Sequence, residues 1–236
     1  MITKMRVPYF RISLALAVIW FIAGIVSAYV PELSANFVTS IIRILSSGIA
    51  LALCFHAASA NRDEMLYKIL TFAIACVFLN DIYCFAHYMV VGATLDYFII
   101  LLPYLGAVSF MATLNFTLLR RLNPVHRYLP LLAVIPALGV AYAFWAVGHT
   151  PIISILYAFI ICVTAYTIAA VLGTKQGKKF LFLEICIIVN AVLGVFWVHG
   201  MSTLMGDIMV EVLEILFIIA PLMYLPALAW GLKKCQ

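Results

Sequence analysis

Long apolar runs separated by short polar links make up almost the whole chain. Each run has about the 20 residues that an α-helix needs to cross the hydrocarbon core of a bilayer. The links, such as PELSAN, NRDEM and TKQGKK, are too short for an extramembrane domain. Short links also place consecutive helices side by side and antiparallel. The predicted spans are Ile12 to Val30, Phe37 to Ala60, Leu66 to Val91, Leu95 to Leu119, Tyr128 to Val147, Pro151 to Leu172, Phe180 to Met201 and Ile208 to Leu232.

The pattern therefore predicts an all-α protein, a single polytopic transmembrane helical bundle of about eight spans over residues 1–236. Composition agrees, because 67% of the 236 residues are hydrophobic and only 10% are charged. A soluble chain is about a quarter charged. The composition thus excludes a water-soluble enzyme, a nucleic-acid binder and a disordered protein.

The basic residues predict the orientation of the bundle. Of the 14 Lys and Arg residues, all except Arg43 fall before the first span, after an even-numbered span or at the end of the chain. Basic residues concentrate in cytoplasmic links, so both termini are expected in the cytoplasm. The expected location of this multi-pass protein is a cell inner membrane. The first run is expected to be an uncleaved span rather than a cleaved secretory signal, because it continues to full spanning length.

Ionisable residues inside the spans are the candidates for function, since each costs several kcal/mol in hydrocarbon unless it faces protein or water. At about 1.5 Å per residue, Asp81 lies near the midplane of the membrane, and Arg43 and Glu214 lie nearer the outer edge. Most of the other polar positions are expected in the outer half. Glu184 is expected near the cytoplasmic border.

Helical phase suggests that several of these residues meet. Asp81 and Tyr88 share a face of the third span, and Glu211 and Glu214 share a face of the eighth. If both faces point into the bundle, Asp81 and Glu214 converge with Arg43 between them. Two carboxyl groups in one pocket can divide acid and base roles. A purely structural alternative stays open, in which the ion pair is a polar clasp that sets the helix register.

The third span and the overall topology resemble those of the lysoplasmalogenase (YhhN-type) family of eight-span membrane proteins. The third span contains the run Ala75-Cys-Val-Phe-Leu-Asn-Asp81, similar to the family's apolar run ending in an aspartate. In the seventh span, Asn190-Ala191 begins a stretch similar to another family segment. The resemblance implies hydrolysis of the vinyl ether bond of a lysoplasmalogen, which releases a fatty aldehyde.

This expected reaction gives each polar residue a role. Asp81 would protonate the vinyl group, and Glu214 or His199 would act as the base that activates water. Arg43 would hold the phosphate. The other expected substrate contacts are His87, Tyr88, Asn190 and Glu211. A membrane lipid is the expected partner, self-association into a homo-oligomer is left open, and no metal, cofactor or nucleic acid is expected.

A non-enzymatic function is the alternative. The same buried arginine and acids would also suit a membrane sensor or a pathway for a small solute or protons, because acidic residues at depth can exchange protons. A lipid-sized groove beside Asp81 would favour the enzyme. A closed polar cluster would favour the alternative.

Overall fold

The computed structural model describes residues 9–28, 35–91, 97–122, 129–147, 151–198 and 207–233. These residues are almost entirely helical and contain no strand, which confirms the predicted all-α fold. The α-helices are α1 (Tyr9–Ala28), α2 (Ala35–Ala60), α3 (Met65–Val91), α4 (Tyr97–Leu122), α5 (Val134–Val147), α6 (Pro151–Leu172), α7 (Leu181–Val198), α8 (Asp207–Ile219) and α9 (Tyr224–Lys233).

Five helical segments in the described part of the chain are long and apolar enough to cross a membrane, as expected of a multi-pass membrane protein. The count of eight spans and the cytoplasmic position of both termini stay predictions. The five segments are Tyr9–Val26, Phe37–Ala60, Met65–Val91, Ile155–Leu172 and Val212–Lys233.

Seven of the described helices form a closed ring. Along it, α1 packs on α2, α2 on α3, α3 on α4, α4 on α6, α6 on α7, α7 on α8 and α8 back on α1. Helix α5 lies outside the ring against α6. Helix α9 contacts α1, α2, α3 and α7, so it occupies the centre of one end of the ring. Most of its residues are buried, as a central position requires.

The last predicted span is broken rather than straight. A 3-10 segment, Ala220–Met223, separates α8 from α9 and contains Pro221. Proline has no backbone N–H, so it removes the helical bond to the carbonyl four residues earlier and favours a break. The break separates α8, which is part of the ring, from α9 at its centre.

Proline also shapes the fifth predicted span. A 3-10 segment, Leu129–Ala133, comes first, and the α-helix starts only at Val134. Pro136 is the third residue of α5, within the first turn, where a missing N–H costs no intrahelical hydrogen bond. The α-helical part of the span, Val134–Val147, is therefore shorter than the apolar run suggests.

The core of the described bundle includes residues of α9. Several of its large side chains are fully buried, including Leu70 of α3, Leu114 of α4, Phe180 just before α7 and Leu228 of α9. Gly231 of α9 lies directly against the Phe180 ring, so closely that a Cβ atom there would overlap the ring. Gly231 therefore allows α9 to pack closely against Phe180.

Candidate functional site

Three helices of the ring bring one arginine and two carboxyl groups together. Arg43 of α2 lies between Asp81 of α3 and Glu214 of α8. Its Nε is 4.0 Å from Asp81 Oδ1, and its Nη2 is 3.4 Å from Glu214 Oε1. The convergence inferred from helical phase is therefore present.

The two carboxyl groups differ in their surroundings. The side chain of Asp81 is 6% exposed, whereas that of Glu214 is 27% exposed and lies closer to the guanidinium group. Ser47 and Asn80 lie beside the carboxyl group of Asp81. Arg43 thus lies beside one enclosed carboxyl group, that of Asp81, and a second, more exposed one, that of Glu214.

A cavity of about 80 Å³ opens beside this cluster. Its wall is mostly apolar, with Arg43 and Asp81 contributing charge. Because one water needs about 10–15 Å³ of such space, the cavity has room for several waters or for part of an organic ligand. The lining residues come from α2, α3, α4, α6, α7, α8 and the start of α9, and the polar ones besides Arg43 and Asp81 are Asn80, Tyr104, Tyr157, Asn190 and Tyr224.

Asn190 of the neighbouring helix α7 supports the broken last span. Pro221 has no N–H to donate to the carbonyl of Phe217, four residues earlier. The Nδ2 group of Asn190 donates to that carbonyl instead, over 3.2 Å. Asn190 lines the cavity, as a substrate-binding residue would, but its amide nitrogen links α7 to α8.

Sequence reasoning missed the tyrosines in the cavity wall. Tyr104 and Tyr157 contact each other with their ring centroids 6.3 Å apart, and Tyr104 lies within electrostatic range of Arg43 and Asp81. The hydroxyl of Tyr157 lies against Gly194, where any Cβ atom would overlap it. The signal in the sequence was a tyrosine deep inside an apolar run, away from the ends where interfacial tyrosines usually lie.

The remaining predicted site residues lie apart from the cavity or outside the described residues. His87 and Tyr88 are half-buried on α3, farther along the helix than Asp81, and neither lines the cavity. Glu211 belongs to α8, but its side chain lies outside the described part of the structure, as does all of His199.

Among the described residues, no cluster of three or more His, Cys, Asp and Glu side chains is arranged to hold a metal ion.

No family model, curated protein or solved structure matches this chain. The resemblance to lysoplasmalogenases therefore stays a prediction.

A second buried carboxyl group lies outside the cavity wall. Glu184 of α7 and Asn115 of α4 both have no exposed surface. With its amide nitrogen turned towards the carboxyl group, Asn115 donates to Glu184 Oε1 over 3.0 Å and to Oε2 over 2.7 Å. Each residue is about one helical turn from a cavity-lining neighbour, Ile187 on α7 and Met111 on α4. Glu184 is thus fully buried in the protein, although its place near the end of a span suggested the membrane border.

Proposed function

We propose that the protein is a membrane-embedded hydrolase that acts on lysoplasmalogens, single-chain glycerophospholipids with a vinyl ether bond, in a cell inner membrane. One observation carries the proposal: Arg43, which pairs with two carboxyl groups, lines a mostly apolar cavity together with Asp81. A lipid has the same division, because its polar head group adjoins an apolar chain. The resemblance of the third span to lysoplasmalogenases supports the same substrate class.

The geometry suggests how the two carboxyl groups divide the work. Asp81 is the more enclosed and lies farther from the guanidinium group, which suits the acid. Glu214 is closer to the cation and more open, which suits a base that activates water. The guanidinium group of Arg43 can bind phosphate as it binds carboxylates, so Arg43 is assigned to the head group.

The proposed reaction needs only water as co-reactant. Asp81 gives its proton to the vinyl carbon that is not bonded to oxygen, which leaves an oxocarbenium ion. Water adds to the cationic carbon and loses a proton to Glu214, forming a hemiacetal. The carbon–oxygen bond to glycerol then breaks, the glycerol oxygen takes the proton from Glu214, and the hemiacetal hydroxyl proton returns to Asp81. The products are a fatty aldehyde and a glycerophospho head group.

Aldehyde release from a lysoplasmalogen by the purified protein in detergent micelles tests this proposal. General acid–base catalysis contributes about 10²- to 10⁴-fold to a rate, so Asp81→Asn and Glu214→Gln should each lower kcat by at least about 10²-fold. The matched control is Glu64→Gln, which breaks a pair with Arg121 at 2.8 Å; neither residue lines the cavity. The control should keep full activity.

Two results would contradict the proposed hydrolase activity. One is the absence of aldehyde release by the folded wild-type protein. The other is release that continues at the wild-type rate in Asp81→Asn. In the second case the aldehyde would come from chemistry in which the enclosed carboxyl group takes no part.

A proton pathway is the second candidate function. The observation that favours it is the burial of Glu184. This carboxyl group is fully buried about one turn from the cavity, so acidic groups occur at two depths of the bundle. In proteoliposomes with an imposed pH gradient, the pathway predicts proton flux that Glu184→Gln abolishes. Flux equal to that of protein-free vesicles would exclude this candidate.

A further inference from the structure

The backbone carbonyl group of Phe217, near the end of α8, accepts a hydrogen bond from another helix. In a regular α-helix the donor would be the N–H group four residues later, but that residue is Pro221, which has none. Within a membrane, side chains of neighbouring helices can replace such a donor. Here Asn190 of α7 does so, with its Nδ2 atom 3.2 Å from the Phe217 oxygen. A side chain on α7 thus holds the end of α8.

Glu214 lies close to the turn of α8 that Asn190 holds. It precedes Phe217 by three residues, which is about one helical turn, so a displacement of this turn moves both residues together. The carboxyl group of Glu214 meets Arg43 over 3.4 Å, already longer than the roughly 2.7–3.2 Å of most N–H···O hydrogen bonds. A further few tenths of an ångström would end this hydrogen bond. The pair is therefore sensitive to the position of α8.

Helix α8 is supported differently on its two sides. Ile215, the residue after Glu214, packs so closely against Gly24 of α1 that a Cβ atom on the glycine would overlap it. Apolar contact of this kind is non-directional. The hydrogen bond from Asn190 is directional and restricts the end of α8 to a narrower range of positions.

We propose that Asn190 is a positioning residue, whose hydrogen bond to the Phe217 carbonyl holds α8 where Glu214 pairs with Arg43. The sequence predicted Asn190 as a substrate contact, whereas here it acts through the backbone of α8. Its consequence for catalysis rests on the proposed function, in which Glu214 is the base. Its effect on the Glu214–Arg43 pair can be measured without turnover.

Infrared spectroscopy tests the positioning directly. The full-length protein, in detergent micelles, carries an isotope label at the side-chain carboxyl carbon of glutamate. Subtracting the spectrum of Glu214→Gln identifies the carboxylate band of Glu214. Asn190→Leu should shift this band, because the carboxylate loses its hydrogen bond from arginine. If Asn190→Leu does not fold, Asn190→Ala replaces it, since the smaller side chain leaves room for a water beside the carbonyl.

A second substitution should restore the band. In Asn190→Leu/Pro221→Ala, the new backbone N–H can donate to the Phe217 carbonyl within the helix, so Asn190 is no longer needed. Pro221→Ala alone should leave the band in place, because a carbonyl oxygen can accept two hydrogen bonds. The matched control is Asn61→Leu. Asn61 also donates from Nδ2 to a backbone carbonyl, that of Ala57 over 2.9 Å, but it does not line the cavity.

Aldehyde release provides a second measurement. Misplacing a reacting group by about 1 Å can cost about 10²-fold in rate, so Asn190→Leu should lower kcat by at least about tenfold and leave KM within about twofold. The double variant with Pro221→Ala should recover kcat. A higher KM with unchanged kcat would instead identify Asn190 as a direct substrate contact and refute the positioning role.

The spectra separate the positioning role from the hydrolase. A Glu214 band that Asn190→Leu leaves unchanged would overturn the positioning role, and so would a band that stays shifted in the double variant. An equal shift in Pro221→Ala alone or in Asn61→Leu would also count against it. A band that shifts and is then restored supports the role even if no lysoplasmalogen is cleaved. Cleavage with an unmoved band leaves the hydrolase standing and overturns only the role of Asn190.

Discussion

Removing the amide partner of Glu184 should destabilise the protein strongly. Asn115→Leu deletes two hydrogen bonds, at 3.0 and 2.7 Å, to a carboxyl group without exposed surface. A hydrogen bond contributes about 0.5–1.5 kcal/mol, and leaving a buried polar group without a partner costs about 1–3 kcal/mol. We expect the free energy of unfolding to fall by about 3 kcal/mol. For a chain of this size that lowers Tm by about 6–12 °C.

The double variant Asn115→Leu/Glu184→Met isolates the cause. Removing both partners of a buried polar pair is often nearly neutral, so most of the lost stability should return. Helicity followed by circular dichroism during heating in detergent measures Tm for each protein. Thr113→Val, on the exposed face of α4, is the control and should change the free energy of unfolding by no more than about 0.5 kcal/mol. A double variant as unstable as Asn115→Leu alone would refute the assigned pairing.

Three further predictions follow from packing, charge and topology. Gly231→Ala forces a Cβ atom onto the buried Phe180 ring and should lower the free energy of unfolding by about 1–3 kcal/mol. Gly139→Ala, with open space around it, should not lower it. Thermal unfolding measures both variants. Arg121→Ala removes an exposed ion pair with Glu64 and should cost less than about 1 kcal/mol in the same assay. A reporter active only in the cytoplasm should be active when fused to either terminus, and activity at only one would contradict the predicted even number of spans.

The central ion cluster was predictable because each of its parts leaves a signal in the sequence. Arg43, Asp81 and Glu214 are charged residues well inside apolar runs, and helical phase indicates the faces of Asp81 and Glu214. Pro221 also marks the break in the last span, because proline cannot donate the helical hydrogen bond. Each of these features can be recognised from the positions of residues along a single helix.

The rest of the site depends on which helices meet, and periodicity within one helix does not contain that information. Tyr157 stands in an apolar run and resembles an ordinary packing residue until the ring places it beside Tyr104. Glu184 has a position near the end of a span, which would be compatible with solvent. The structure shows that Glu184 is buried and that Asn115 of α4 is its partner.

The central position of α9 has a consequence for assembly during synthesis. This segment follows all seven ring helices in the chain, yet its residues fill the middle of their ring. At the usual 5–20 residues per second, about 10–40 s separate completion of α1 from completion of α9. During that interval the ring helices lack their central packing partner. We therefore expect the central apolar faces of the ring helices to be covered by lipid or by the insertion machinery until α9 is synthesised.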